Sequence, residues 1–224
     1  MNSEVLRPDC DFDGQQIHDG DFGEDLEAHS FFGRRQFIGL GAAASVSTLL
    51  SLTEARAGLF YSTKPVQGIP EAWVQEKGMD VLRYGNYIKA LNLRNITPYM
   101  VLKPHFKKRG SVSNSLPPRY MWKRLSHGLR VIDRLAYELN SPVKDLLSIY
   151  RSPRYNRACR GRSRSQHMEN RAIDVSFVRA SSYSASRKVK QLRDRGYFKG
   201  GVGTYSSFLH IDTRGSNAHL VGGG

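Results

Sequence analysis

Gly203-Thr204-Tyr205-Ser206-Ser207-Phe208-Leu209-His210-Ile211-Asp212-Thr213 decides the fold, because apolar and polar residues alternate along its second half. A period of two belongs to an extended strand, and it sets Phe208, His210 and Asp212 on one face with Leu209 and Ile211 on the other. An imidazole and a carboxylate therefore share a surface. Just upstream, Gly201-Val202-Gly203-Thr204-Tyr205 predicts another closing strand.

Ala172-Ile173-Asp174-Val175-Ser176-Phe177 and Leu146-Leu147-Ser148-Ile149-Tyr150 predict two further strands, and Ser182 to Arg195, stopped by Gly196, predicts a helix. The strongest helical pattern runs from Pro118 to about Leu139, where Trp122, Leu125, Leu129, Ile132, Ala136 and Leu139 recur at steps of three and four. Pro117-Pro118 opens it and Asn140 ends it. A short helix is expected from about Arg154 to Cys159. Alternating pieces at Arg83–Tyr87 and Tyr99–Leu102 predict strands, and Gly58 to Gln75 predicts an extended leader along the surface. Short strands mixed with helices, without a βαβ rhythm, imply an α+β domain whose mainly antiparallel sheet is flanked by helices.

The 224 residues carry 34 Lys+Arg against 20 Asp+Glu, and the charge is unevenly spread. Residues 1–57 hold 4 basic and 10 acidic residues, net −6, and residues 58–224 hold 30 and 10, net +20. Arg34-Arg35 leads into a modest apolar stretch, Leu40 to Leu52, and then Ala55-Arg56-Ala57. Paired arginines, about 15 apolar and small residues and an A-x-A site predict a twin-arginine export signal preceded by an acidic leader. The stretch is short of the roughly 20 apolar residues that span a bilayer. Residues 58–116 then form an extension with the first strands, and 117–224 the core. With only Cys10 and Cys159, neither a disulfide framework nor a Cys-rich zinc site is available. Any metal needs His and carboxylate ligands, and Cys159 is expected to be a packed thiol.

His167, at the end of a polar loop, Asp174 and His210 are the residues on which chemistry can rest. Two imidazoles and one carboxylate are the ligand set of a catalytic zinc site with a position left for water. The same residue types also fit a loop histidine and a hydrogen-bonded core histidine with no metal between them. The spacing adds a resemblance. Ser165-Gln166-His167-Met168-Glu169-Asn170-Arg171-Ala172-Ile173-Asp174 resembles the S-x-H-x-x-G-x-A-x-D signature of the D-alanyl-D-alanine metallopeptidases, relatives of lysostaphin and the hedgehog signalling domain. The Gly203–Thr213 stretch is similar to their G-x-Y-x-x-x-F-V-H-x-D-T segment, most like the murein endopeptidase branch, and Tyr150-Arg151-Ser152-Pro153-Arg154-Tyr155-Asn156 looks like their Y-R-S-P-x-x-N turn.

The resemblance implies a hedgehog/DD-peptidase-like fold and one zinc ion held by His167, Asp174 and His210. It also places Arg151, Ser165 and Tyr205 toward substrate. Two departures stand out. Asn170 replaces the family glycine, and Asn tolerates positive φ best after Gly. Ser207 stands where several relatives carry Glu or His, and a serine is no general base near neutral pH. Asp212 is the candidate for that role or for orienting a ligand imidazole, with Glu169 or a zinc-bound hydroxide acting alone as the remaining options.

A net +20 suits an acidic partner. Arginines crowd between Arg151 and Arg164, beside the proposed zinc loop, and an exported protein would meet peptidoglycan carboxylates and anionic envelope polymers rather than nucleic acid. The expectation is a monomeric, periplasmic or secreted zinc metallopeptidase of peptidoglycan peptides, a cross-link endopeptidase before a D,D-carboxypeptidase. A zinc-containing cell-wall binding module without catalysis is the alternative.

Overall fold

The computed structural model describes residues 66–222 and the two-residue strand Val5–Leu6. The twin-arginine segment and the rest of the acidic leader lie outside the described residues. In chain order the elements are β1 (Val5–Leu6), α1 (Glu71–Lys77), α2 (Asp80–Lys89), α3 (Pro98–Leu102), β2 (Lys108–Arg109), β3 (Val112–Ser113) and α4 (Trp122–Glu138). They continue with β4 (Val143–Ser148), α5 (Pro153–Ala158), β5 (Ala172–Phe177), α6 (Ser182–Asp194), β6 (Gly201–Thr204), β7 (Leu209–Asp212) and β8 (Ala218–Gly222).

Six strands form one sheet in the order β1-β8-β6-β7-β5-β4. The run β6-β7-β5-β4 is antiparallel, and β8 and β1 add parallel strands beyond it. The domain is thus α+β. Leu209 and Ile211 of β7 and Ile173 and Val175 of β5 point into the core with the buried faces of α4 and α6. α4 approaches β5 closely at Gly128, where a Cβ would lie 3.3 Å from Ile173 Cδ1. The opposite face of the same two strands is left for Asp174 and His210.

Both strands expected before residue 108 are helices. In α2 the buried residues Val81, Tyr84, Gly85 and Ile88 recur at helical steps, a stronger signal than the local alternation around Tyr84. α3 begins where the Thr97 hydroxyl accepts from Met100 N at 3.3 Å, with Pro98 in the first turn. The surface leader is also corrected: Glu71–Lys77 is helical, and Val66 and Ile69 are buried. α2 and α3 share one apolar cluster with α4 and the sheet, so the stretch before residue 117 is part of the core. Strand β8 and the β2–β3 hairpin had no predicted counterpart. Among the described residues, no helix is long and apolar enough to cross a membrane.

His105, in the turn after α3, is buried edge-on against Tyr84, its rings 5.8 Å apart. Burial pushes its pKa down to about 4, against partial relief from the Leu102 carbonyl. The folded chain thus refuses a proton that the unfolded chain accepts near pH 6.5. This stability is fully present above that pH and is lost as the pH falls toward 4. Urea unfolding should show that lowering the pH from 7.5 to 5 costs about 2 kcal/mol less in His105→Phe than in the parent.

Candidate metal centre

The ladder registers put Ser148, Asp174, His210 and Gly203 in one row across β4, β5, β7 and β6. Directly opposed residues of neighbouring strands point to the same face, so pairing alone brings Asp174 and His210 together. His167 arrives from the loop before β5. That loop is a series of turns whose backbone N–H groups find loop carbonyls: Met168 N donates to Ser165 O, Glu169 N to Gln166 O and Asn170 N to His167 O. Asn170 sits at φ 52, the positive value expected at the family glycine, and its amide donates to Met121 O at 3.1 Å.

The donor atoms of His167, Asp174 and His210 lie within 4.8 Å of one another, and all three residues are buried. His167 Nδ1 lies 2.6 Å from Ile149 O, a partner that can only accept, so this nitrogen carries the proton. Nε2 therefore presents a lone pair. It is buried without a hydrogen bond, 3.2 Å from Asp174 Oδ2. On the other side, His210 Nδ1 lies 2.6 Å from Asp174 Oδ1 while Nε2 faces Asp212 Oδ2 at 3.5 Å. Two imidazole nitrogens converge on one carboxylate, an arrangement that could hold a cation. The residues therefore fit a divalent metal: His167 Nε2, an Asp174 oxygen and His210 Nδ1 would hold it.

Electrostatics reinforce this polarity. Burial lowers the His167 pKa, with Arg151 adding to it, which keeps the ring neutral and able to donate its lone pair. Burial works against charge on His210, yet Asp174 and Asp212 overcome it and raise its pKa to about 9. Burial likewise opposes ionisation of Asp174, and the two histidines hold its carboxyl well below the usual range.

Asp212 is fully buried and its oxygens are occupied. Oδ1 accepts from Gly201 N at 3.0 Å, Arg214 N at 3.2 Å and Arg214 Nε at 2.9 Å, and Oδ2 accepts from Arg214 Nη2 at 2.6 Å. It stands behind the His210 ring, away from Asp174, where it can orient the imidazole but has no route to a water on the metal side. Of its two expected roles, the geometry favours the second. Arg151 does not stand free toward substrate either: Nη2 donates to Asp174 Oδ2 at 3.1 Å and Nε to Ser148 Oγ at 2.7 Å.

Ser165 accepts from His167 N at 3.3 Å and braces the loop. Tyr205 is buried, stacked on Phe208 with ring centroids 4.3 Å apart, and its carbonyl accepts from Ser182 Oγ at 2.5 Å. Both lie in the framework around the cluster. Ser207 is exposed at the β6–β7 turn, and Glu169, on the His167 loop, pairs with Arg124 at 2.6 Å. Sequence reasoning missed Ser148, Arg214 and the two glycines at the start of β6. A Cβ on Gly200 would run into the Asp212 backbone carbonyl, and one on Gly201 into Asp212 Oδ2, so the bare backbone lets the strand approach at the first and admits the buried carboxylate at the second. The Gly200-Gly201 pair was the available signal.

Two imidazoles and a carboxylate gathered on the sheet face opposite the helices could hold a metal ion, and they are the ligand types of a catalytic zinc site. The Peptidase M15 family model matches residues 102–212, which include the whole cluster, Arg151 and Asp212. The chain belongs to this family, the D-alanyl-D-alanine metallopeptidases, whose members are zinc-dependent peptidases. No curated protein and no solved structure matches the chain.

Gly201→Ala should displace Asp212 and weaken zinc binding by ~10–100-fold, as should Asp212→Ala, with the helical circular dichroism retained. Zinc also competes with the proton on His210, so affinity should fall by about tenfold per pH unit below pH 9. Competition with a fluorescent chelator measures both.

Proposed function

We propose that the chain is a zinc metallopeptidase that cleaves amide bonds in peptidoglycan peptides, with cross-links as its preferred target and a hedgehog/DD-peptidase-type sheet as its scaffold. The observation that carries this is the convergence of His167 Nε2 and His210 Nδ1 on the Asp174 carboxylate within a match to the peptidase family. A zinc ion bound there supplies Lewis acidity, polarising a carbonyl and acidifying water.

The protein's own groups divide the remaining work. Asp212 holds His210 through Nε2, which leaves Nδ1 aimed at Asp174. Arg151, itself held by the Ser148 hydroxyl, fixes the Asp174 carboxylate, and its guanidinium adds a positive field for a substrate carboxylate or for the oxyanion that forms on attack. Asp212 is shielded, which leaves Glu169 or the metal centre acting alone; we assign proton transfer to Glu169, whose Oε2 pairs with Arg124 at 2.6 Å. Its side chain is 51% exposed on the His167 loop, and its carboxylate can accept a proton from water and return it to the leaving amine. Exposed Arg154, Arg157, Arg160 and Arg164 flank the loop and favour a polyanionic substrate. Export by the twin-arginine route to a periplasmic or extracellular site of action fits this substrate.

Incubation of the purified protein with digested murein should release new stem-peptide fragments, and both chelation and His167→Ala should abolish them. Retention on murein without products identifies the binding module instead. Glu169→Gln should lower kcat by ~10²–10⁴-fold with zinc content unchanged, whereas an Asp212 variant should lose zinc.

A further inference from the structure

We propose that the pocket between α4, residues 92–95 and Tyr197 is a second binding site, for a saccharide that carries an anionic group. The cavity measures about 550 Å³, and none of its lining residues belongs to the metal cluster. The site therefore stands whether or not the metal centre hydrolyses peptides.

One wall is preformed. Asn92, at φ 52, turns the chain out of α2, and Asp133 on α4 clamps Arg94 and Asn95: its Oδ1 accepts from Arg94 N at 3.1 Å, Asn95 N at 2.7 Å and Asn95 Nδ2 at 3.1 Å. Oδ1 is thereby engaged in holding the loop, while the carboxylate keeps its negative charge. Glu138, just beyond the pocket, is paired with two arginines, accepting from Arg134 Nε at 2.9 Å and Arg195 Nη2 at 2.8 Å. Arg94 and Arg130 are exposed on the lining, and among the described residues neither has an ion-pair partner. Arg94 and Arg130 outweigh the single negative charge of Asp133, so the pocket keeps a surplus positive charge of the planar, forked kind that grips a carboxylate or a phosphate with two hydrogen bonds.

Its aromatic members narrow the ligand further. Tyr137 and Tyr197 are 64% and 47% exposed. The Arg134 guanidinium lies 5.5 Å from one ring centre and 5.8 Å from the other, so a single cation holds both tyrosines at the site. Exposed aromatic faces with hydroxyl tips suit the C–H faces and hydroxyls of a sugar ring, and the arginines suit the anion on it.

Amide chemical-shift titration of the full chain tests this with three sugars. N-acetylmuramic acid carries a carboxylate, N-acetylglucosamine 6-phosphate a phosphate, and N-acetylglucosamine no charge. Saturable shifts around residues 92–95 and 127–137 are expected with at least one charged sugar, at least tenfold weaker with the neutral one. The charged sugar that binds identifies the source of the anion. Arg94→Ala/Arg130→Ala should weaken binding at least tenfold with an unchanged melting temperature, since both side chains are exposed, and Tyr137→Ala should weaken it as well. His167→Ala should leave it intact, which separates this pocket from the metal centre. Failure of both charged sugars to saturate, equal binding of the neutral sugar, inorganic phosphate or an oligonucleotide binding as tightly as the sugar phosphate, or loss of binding in His167→Ala would each overturn the proposal.

Discussion

The Asp174 carboxylate holds the site together. One oxygen faces His210 Nδ1 and the other faces both His167 Nε2 and Arg151 Nη2. A buried carboxylate of this kind is costly unless its lone pairs are met, and here an arginine and two imidazoles meet them. The sheet makes the meeting possible because Asp174 and His210 are opposed across β5 and β7, with Ser148 opposite Asp174 on the other side. The helix layer on the far face needs only to keep Ile173, Val175, Leu209 and Ile211 dry.

Outside this row, the chain invests in fixing directions. Ile149 O sets which nitrogen of His167 carries the proton, Asp212 fixes the ring of His210, and Arg214 with Gly201 N fixes Asp212 in turn. Such partners add no ligand to a metal, yet they determine whether the ligands arrive with their lone pairs aligned. The loop that delivers His167 needs a left-handed residue at its end, and Asn170 supplies it while tying the loop to Met121 at the start of α4.

Much of this is legible in the residues. Alternation along Phe208–Thr213 puts His210 and Asp212 on one face, and β5 and the long helix fall close to their expected bounds because their apolar spacing is regular. The helices α2 and α3 read as strands for a local reason. Arg83–Tyr87 mixes two tyrosines with polar and small neighbours over only five residues, whereas the burial that matters recurs at helical steps from Val81 to Ile88. The second task of Asp212 could not be resolved from a face assignment alone, since a strand pattern tells which side a carboxylate occupies and not whether its oxygens are already taken. That required Arg214 and the bare backbone of Gly200 and Gly201, both of which act through space.

Formal charges around the two imidazoles cancel: Asp174 and Asp212 are matched by Arg151 and Arg214. A dication held by these residues would meet no surplus negative charge from this quartet, so more of its charge would be felt beyond its ligands. Such a balance would trade some grip on the ion for a stronger outward field.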